Sequence, residues 1–223
     1  MLKLHIFDMD ETLIENDCDV SWKEFLVAEG IAPRSALDEA AKFLEEYDRG
    51  VMDVAAFCRF QFREFVGRSA EEMRPVCEKH FRVRVLPAIR PKAEAFLGKL
   101  LRAGADCVIV TSTADPIARP LAEYLRVGGS YGTPLEIVDG RFTGNLAGGY
   151  YAQEGKVKVL KMLCERKHLS PGEVAAYGDS INDLPLLSAC GCPFAVSPSP
   201  ALEKAARENK WAILDWRLDK SAN

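Results

Sequence analysis

The chain has no dense stripe of lysine and arginine. Its 29 basic residues are scattered among 33 acidic ones, and the net charge is −4. Nucleic-acid recognition needs clustered positive charge, so no nucleic-acid partner is expected. No apolar run approaches the length that crosses a bilayer, and no membrane partner is expected either. The start of the chain does not read as a cleavable leader, because it has one lysine, no extended apolar stretch and a carboxylate already at Asp8. Internal repeats and low-complexity segments are absent. The seven cysteines follow no regular spacing, and Cys190-Gly191-Cys192 has neither a second pair nor a nearby histidine to complete a metal site. An odd number of cysteines, mostly in apolar stretches, fits small hydrophobes in a reducing, cytoplasmic setting.

At 223 residues and 48% hydrophobic, the chain can build one domain of moderate size, or a core with an insertion. Residues 2–7 read as a buried strand, and Asp8-Met9-Asp10 follows it at once. Open α/β sheets bind ligands at the carboxyl ends of their strands. Two like charges two residues apart are costly unless a cation or a shared proton relieves them. The pair therefore points to a metal site or an acid/base pair.

Residues 20–82 are almost entirely helical in pattern, over 21–29, 35–49, 54–66 and 70–81, with Gly30, Pro33, Gly50 and Gly67 as punctuation. After this block the texture changes. Helices are expected from Pro91 to about Ala103, over 116–126, 155–168 and 181–189, and near 201–208. Strands are expected over 106–110, 173–177, 193–196 and 211–214. Asp139-Gly140, between 135–138 and 141–143, signals a two-residue hairpin. Alternation of strands and helices implies parallel βαβ units. A block of more than sixty residues after the first strand is too long for a loop, so it reads as a helical cap over the carboxyl edge of the sheet. Its hinges are expected at Glu15-Asn16 and Val85-Leu86-Pro87.

Polar clusters follow three of the buried strands: Asp8/Asp10, Thr111/Ser112 and Asp179/Asp183. Any one alone would pass for a turn former or helix cap. Three of them, with Lys156 on the helix between the last two, should converge on one sheet edge.

Four segments, Asp8-Met9-Asp10-Glu11-Thr12-Leu13, Thr111-Ser112, Lys156 and Gly178-Asp179-Ser180-Ile181-Asn182-Asp183, resemble the four motifs of the haloacid dehalogenase superfamily. Their order, spacing and long helical insertion look like its phosphoserine-phosphatase-like subfamily, IB. The resemblance implies an α/β fold: a three-layer Rossmann-like core with a parallel sheet (1–16 and 85–223) and an inserted helical C1-type cap (17–84). It implies a phosphomonoesterase working through an aspartyl-phosphate on a small phosphorylated metabolite.

In that chemistry a carboxylate serves as nucleophile, the role implied for Asp8. Asp10 would act as general acid and then general base. An acid at this second position favours phosphoester cleavage over dehalogenation, because the leaving group must be protonated. Asp8, the Asp10 backbone carbonyl and Asp179 would hold one Mg²⁺, with Asp183 as ligand or close support. Thr111 and the Ser112 N–H would bind phosphoryl oxygens, Lys156 would neutralise charge, and Asn182 is a phosphate contact or a helix cap.

Asp17 stands where the subfamily carries an acid for a substrate ammonium. The subfamily's carboxylate-gripping arginine falls near Gln61, two residues from both Arg59 and Arg63. That combination fits an amino-alcohol phosphate such as histidinol phosphate or phosphocholine as well as it fits phosphoserine. Trp22 and Arg59 are the candidate pocket residues of the cap. Alternatives are a phosphotransferase on the same scaffold and a non-catalytic regulatory module. The sequence leaves the oligomeric state open.

Overall fold

The computed structural model describes residues 2–218. The strands are β1 (Leu4–Phe7), β2 (Asp106–Ala114), β3 (Ser130–Thr133), β4 (Leu135–Val138), β5 (Arg141–Leu146), β6 (Val174–Gly178), β7 (Cys192–Val196) and β8 (Ala212–Leu214). Six of them form a sheet in the order β3-β2-β1-β6-β7-β8, and every pairing is parallel. β4 and β5 make a separate antiparallel hairpin. Its turn residues Asp139 and Gly140 both have positive φ, as a two-residue turn of the primed type requires.

Five α-helices lie between β1 and β2, and the first four are α1 (Cys18–Ala28), α2 (Ser35–Asp48), α3 (Val54–Gln61) and α4 (Ala70–His80). Asp17 caps α1, Asp53 caps α3, and Ser69 with Glu72 forms a capping box on α4. The later helices are α5 (Pro91–Arg102), α6 (Asp115–Leu125), α7 (Glu154–Lys167), α8 (Leu184–Ala189) and α9 (Pro200–Glu208). Four of these five carry a proline in the first turn, where its missing N–H costs no hydrogen bond.

Side chains alternate along the central strands and separate two cores, which makes the three layers. Phe7, Cys107, Ile109, Ala175 and Tyr177 pack with Ala93 and Leu97 of α5 and Ile117 and Leu121 of α6. Leu4, Ile6, Val108, Val110, Val174 and Ala176 pack with Val159, Leu160 and Leu163 of α7, Leu186 and Leu187 of α8, and Leu202 of α9. The first core runs on into the inserted helices through Trp22, Phe25, Phe65 and Met73. β1 is covered on both faces and buried at every residue, and its polar member, His5, meets the Tyr177 hydroxyl at 3.0 Å.

Some sequence expectations shift. The helix expected over 54–66 ends at Gln61, and a 3₁₀ turn at Arg63–Phe65 follows, with Phe62 and Phe65 both fully buried. The helix expected over 181–189 opens as a 3₁₀ turn, Ile181–Asp183. β2 runs to Ala114 rather than ending at Val110, and β3 was not expected at all. Its four residues, Ser-Tyr-Gly-Thr, carry no apolar run, and pairing with β2 is what makes them a strand. The second expected hinge lies within a π turn and a 3₁₀ turn that continue α4. Among the described residues, no helix is long and apolar enough to cross a membrane.

Candidate active site

The chain visits β2 and β3 on one side of β1 and then β6, β7 and β8 on the other. The crevice of such a sheet opens where the strand order reverses, here between β1 and β6. Asp8 follows β1, and Asp179 and Asp183 follow β6. Lys156 reaches the same point from the first turn of α7. Its Nζ donates to Asp8 Oδ1 at 2.6 Å and to Asp183 Oδ1 at 2.5 Å, and all three side chains are buried. Two glycines allow this approach. A Cβ on Gly178 would lie 2.5 Å from the Asp183 carboxyl carbon, and one on Gly155 would lie 2.1 Å from the Tyr150 carbonyl oxygen. The remaining oxygen of Asp183 accepts the backbone N–H of Asp179 and Ser180 at 3.1 and 3.2 Å. Thr12 donates to Asp179 at 3.0 Å.

Charge in this crevice is held against its own repulsion. Burial, and then Asp183, push the Asp8 carboxyl well above the usual range, while Lys156 pulls the other way. Burial and Asp183 raise Asp179 to about 7. Burial alone would lower Lys156, but Asp183 and Asp8 keep its ammonium charged and raise it overall. Carboxylate oxygens of Asp8, Asp179 and Asp183 lie within 4.8 Å of one another. An all-oxygen set with net negative charge fits a hard divalent cation.

The Asp10 carboxylate has partners of its own. Its Oδ1 accepts the backbone N–H of Cys18, the first residue of α1, at 2.8 Å. Its Oδ2 accepts the Thr113 hydroxyl at 2.6 Å and lies 3.5 Å from that of Thr111. Burial, with Asp17 next, raises this carboxyl to about 6. The turn that follows is pinned by Arg90, which donates to the carbonyl of Glu11 at 2.5 Å and to its carboxylate at 3.1 Å. Glu11 itself is left-handed, with φ 52°.

The remaining expected residues scatter. Asp17 is exposed and accepts the N–H groups of Asp19 and Val20 as the cap of α1. The Ser112 carbonyl accepts from Thr133 at 2.6 Å. The Asn182 carbonyl accepts from Gln153 at 3.1 Å, and its amide donates to Tyr47 of α2. Arg59 is exposed on α3. Trp22 corrects an expectation: it is 0% exposed and packs against Phe25, Phe65 and His80, so it fills the core of the inserted helices and offers a ligand no surface.

Three contributors went unread in the sequence. Thr113 continues the alternation of Thr111 on β2, a signal that reading the strand past Val110 would have caught. Asp19 accepts from Gln61 at 3.1 Å, and burial, then Asp17 and Asp10, push its carboxyl well up. Tyr150 stands close enough to Asp19 for that charge to raise its hydroxyl, after burial.

This geometry agrees with comparisons to known proteins. The sequence model described as haloacid dehalogenase-like hydrolase matches residues 6–188. The histidinol-phosphatase of Neisseria meningitidis serogroup C (strain 8013) is 33% identical, over 97% of this chain and 100% of that protein. A Mycobacterium tuberculosis protein named phosphoserine phosphatase SerB1 is 32% identical, over 97% of this chain and 71% of that protein. The crystal structure of a protein of unknown function from Bordetella pertussis Tohama I superimposes with a TM-score of 0.88 at 30% identity, covering 97% of this chain and 100% of that one. A phosphoserine phosphatase solved as a phospho-aspartyl intermediate analogue shares the fold, with a TM-score of 0.68 at 20% identity over 98% of this chain and 95% of that one.

Proposed function

The chain belongs to the haloacid dehalogenase-like hydrolase family, and from that premise we propose that it is a Mg²⁺-dependent phosphomonoesterase working through an aspartyl-phosphate. The observation that carries this reading is the buried contact of Lys156 with Asp8 and Asp183 at the switch point, with Asp10 held beside it by Thr113 and Cys18.

Lys156 holds Asp8 Oδ1, so Oδ2 is assigned to attack the phosphorus. The bond from phosphorus to the ester oxygen breaks, and Asp10 gives that oxygen its proton. Water then attacks the phosphorus, Asp10 takes a proton from it, and the bond to Asp8 breaks. Lys156 and the Thr111 hydroxyl offset the charge that builds on the phosphoryl oxygens. Asp8, Asp179 and Asp183, with the Asp10 carbonyl, are the residues that would hold Mg²⁺, whose charge would let the anionic substrate approach two carboxylates.

The substrate is a small phosphomonoester carrying an amine. Asp17 stands near enough to Asp10 and Asp19 to raise both of their carboxyl groups, Asp10 adds to the rise at Asp19, and Asp19 is met by the neutral Gln61. Arg63 is paired with Glu39 and Glu64, and Lys23 with Glu64. A rim of this charge favours a cationic group over a carboxylate, which favours histidinol phosphate, matching the name of the Neisseria relative. Residues 17–84 are assigned to the cap and 1–16 with 85–223 to the core; residue 1 and residues 219–223 lie outside the described ones. The seven unpaired cysteines support a reducing, cytoplasmic location.

The test is phosphate release from a panel of small phosphomonoesters with Mg²⁺, with EDTA, and with Asp8→Asn. Release that needs Mg²⁺ and vanishes in the variant is expected, together with acid-stable labelling of Asp8 by the substrate's phosphate. Wild-type turnover by Asp8→Asn would overturn the reading.

A further inference from the structure

Asp10 is gripped by partners of two kinds. The Cys18 N–H can only donate, so Oδ1 must remain an acceptor whatever the carboxyl's protonation state. This N–H belongs to the first turn of α1, where backbone donors have no partner within the helix. On Oδ2 the partners are hydroxyls, which can donate to a carboxylate or turn and accept from a carboxylic acid. Thr113 is the closer, at 2.6 Å against 3.5 Å for Thr111. It is also the better held. Thr113 is buried on β2, and its own N–H donates to Thr111 Oγ1 at 3.2 Å, which sets the two hydroxyls side by side on one face of the strand.

We infer that Thr113 is the positioning residue for Asp10 and that Oδ2 is the oxygen that carries the transferred proton. The inference rests on the reading of Asp10 as general acid. As the ester bond breaks, the proton passes from Oδ2 to the departing oxygen, and the Thr113 hydroxyl turns to donate to the carboxylate left behind. In the second half-reaction Oδ2 takes a proton from water and the hydroxyl turns back. No atom is gained or lost by Thr113, which never touches phosphorus. The fixed donor on Oδ1 and the reversible one on Oδ2 make the two oxygens of one carboxylate unequal.

A positioning role for the acid predicts dependence on the leaving group. An alkyl phosphate expels a strongly basic alkoxide and needs the proton, whereas p-nitrophenyl phosphate expels a stabilised phenolate and needs it far less. The experiment measures kcat/KM, which reports the steps through formation of the aspartyl-phosphate, for an amino-alcohol phosphate and for p-nitrophenyl phosphate. It uses the full chain with Mg²⁺, as wild type, Thr113→Val, Thr113→Ala and Thr113→Ser. General acid catalysis contributes on the order of 10²–10⁴-fold, so loss of its positioning should cost the alkyl ester roughly 10- to 100-fold. The aryl ester should lose at least tenfold less, and Thr113→Ser should recover most of the difference. Should the valine variant not fold, the alanine variant carries the same comparison. Equal losses on the two esters, or no recovery with serine, would overturn the inference while leaving the phosphatase reading intact. If the wild type hydrolyses neither ester, the phosphatase reading has failed and takes the inference with it.

Discussion

The carboxyl edge of the sheet and the inserted helices bury different things. At the edge, a lysine and two carboxylates lie within contact of one another at 4%, 8% and 0% side-chain exposure, and their attraction must offset the loss of hydration. Among the inserted helices, Trp22, Phe25 and Phe65 pack ring against ring and gain simply by leaving water, and the buried Lys23 is matched by Glu64 at 2.5 Å and by the Phe60 carbonyl at 2.8 Å, which ties α1 to the turn after α3. The buried histidine there also keeps charge out of the packing. His80 is fully enclosed, with Ser21 Oγ 3.1 Å from Nε2 and no partner on Nδ1 among the described residues, and burial lowers it to about 3 so that the ring stays neutral. The edge gathers its buried charges at one point, and the inserted helices use theirs to join one element to another.

Removing the cation tests the charged region most severely. Lys156→Met leaves Asp8 and Asp183 facing each other without a counter-charge. Breaking a buried pair costs about 3–5 kcal/mol. Urea denaturation should show a loss of that order, and turnover should vanish with it. If the variant is as stable as the wild type, the edge holds no stored repulsion.

Trp22→Ala probes the scaffold. Truncating a fully buried tryptophan costs roughly 3–5 kcal/mol. Among molecules still folded at low temperature, KM should move by less than a factor of about three, since the lost 1.4 kcal/mol that makes a tenfold change in binding has no surface through which to act. A large rise in KM alone would put the indole back in the pocket.

The neutral histidine makes a prediction about acid. Its folded value of about 3 lies below the unfolded value near 6.5. As pH falls through that interval the unfolded chain binds a proton that the folded chain does not, so the contribution of His80 to stability is complete above pH 6.5 and is lost toward pH 3. Replacing it with Phe should flatten the stability profile between those limits by at most about 1.4 kcal/mol per pH unit. Parallel wild-type and variant profiles in that window would refute the neutral ring.

The smallest effect is expected at the border between the regions. Asp17→Ala removes the cap of α1, which costs about 1 kcal/mol, and it should raise KM for amine-bearing esters more than for p-nitrophenyl phosphate. Matching KM changes for both would confine Asp17 to capping.

Much of the charged edge was legible because it is built from local signals. A strand followed at once by Asp8, a second followed by Asp179 and a lysine after Gly155 each announce themselves within a few residues. Thr113 was hidden because β2 outlasts its apolar run by four residues, and only pairing with β3 shows that the strand continues. Trp22 misled for the opposite reason. Closeness in sequence to Asp17 says nothing of which side of α1 faces a ligand, and the packing of α1 on α4 turned the indole inward.

By itself the sequence determined the order of the helices and of the strands other than β3, the place of the insertion and which side chains could carry chemistry, since periodicity, caps and turn residues act over a few positions. Tertiary structure alone decided which oxygen of Asp10 meets which donor, that Gln61 rather than an arginine meets Asp19, and that an indole serves packing. Those outcomes depend on contacts between residues tens of positions apart, and no short-range pattern records them.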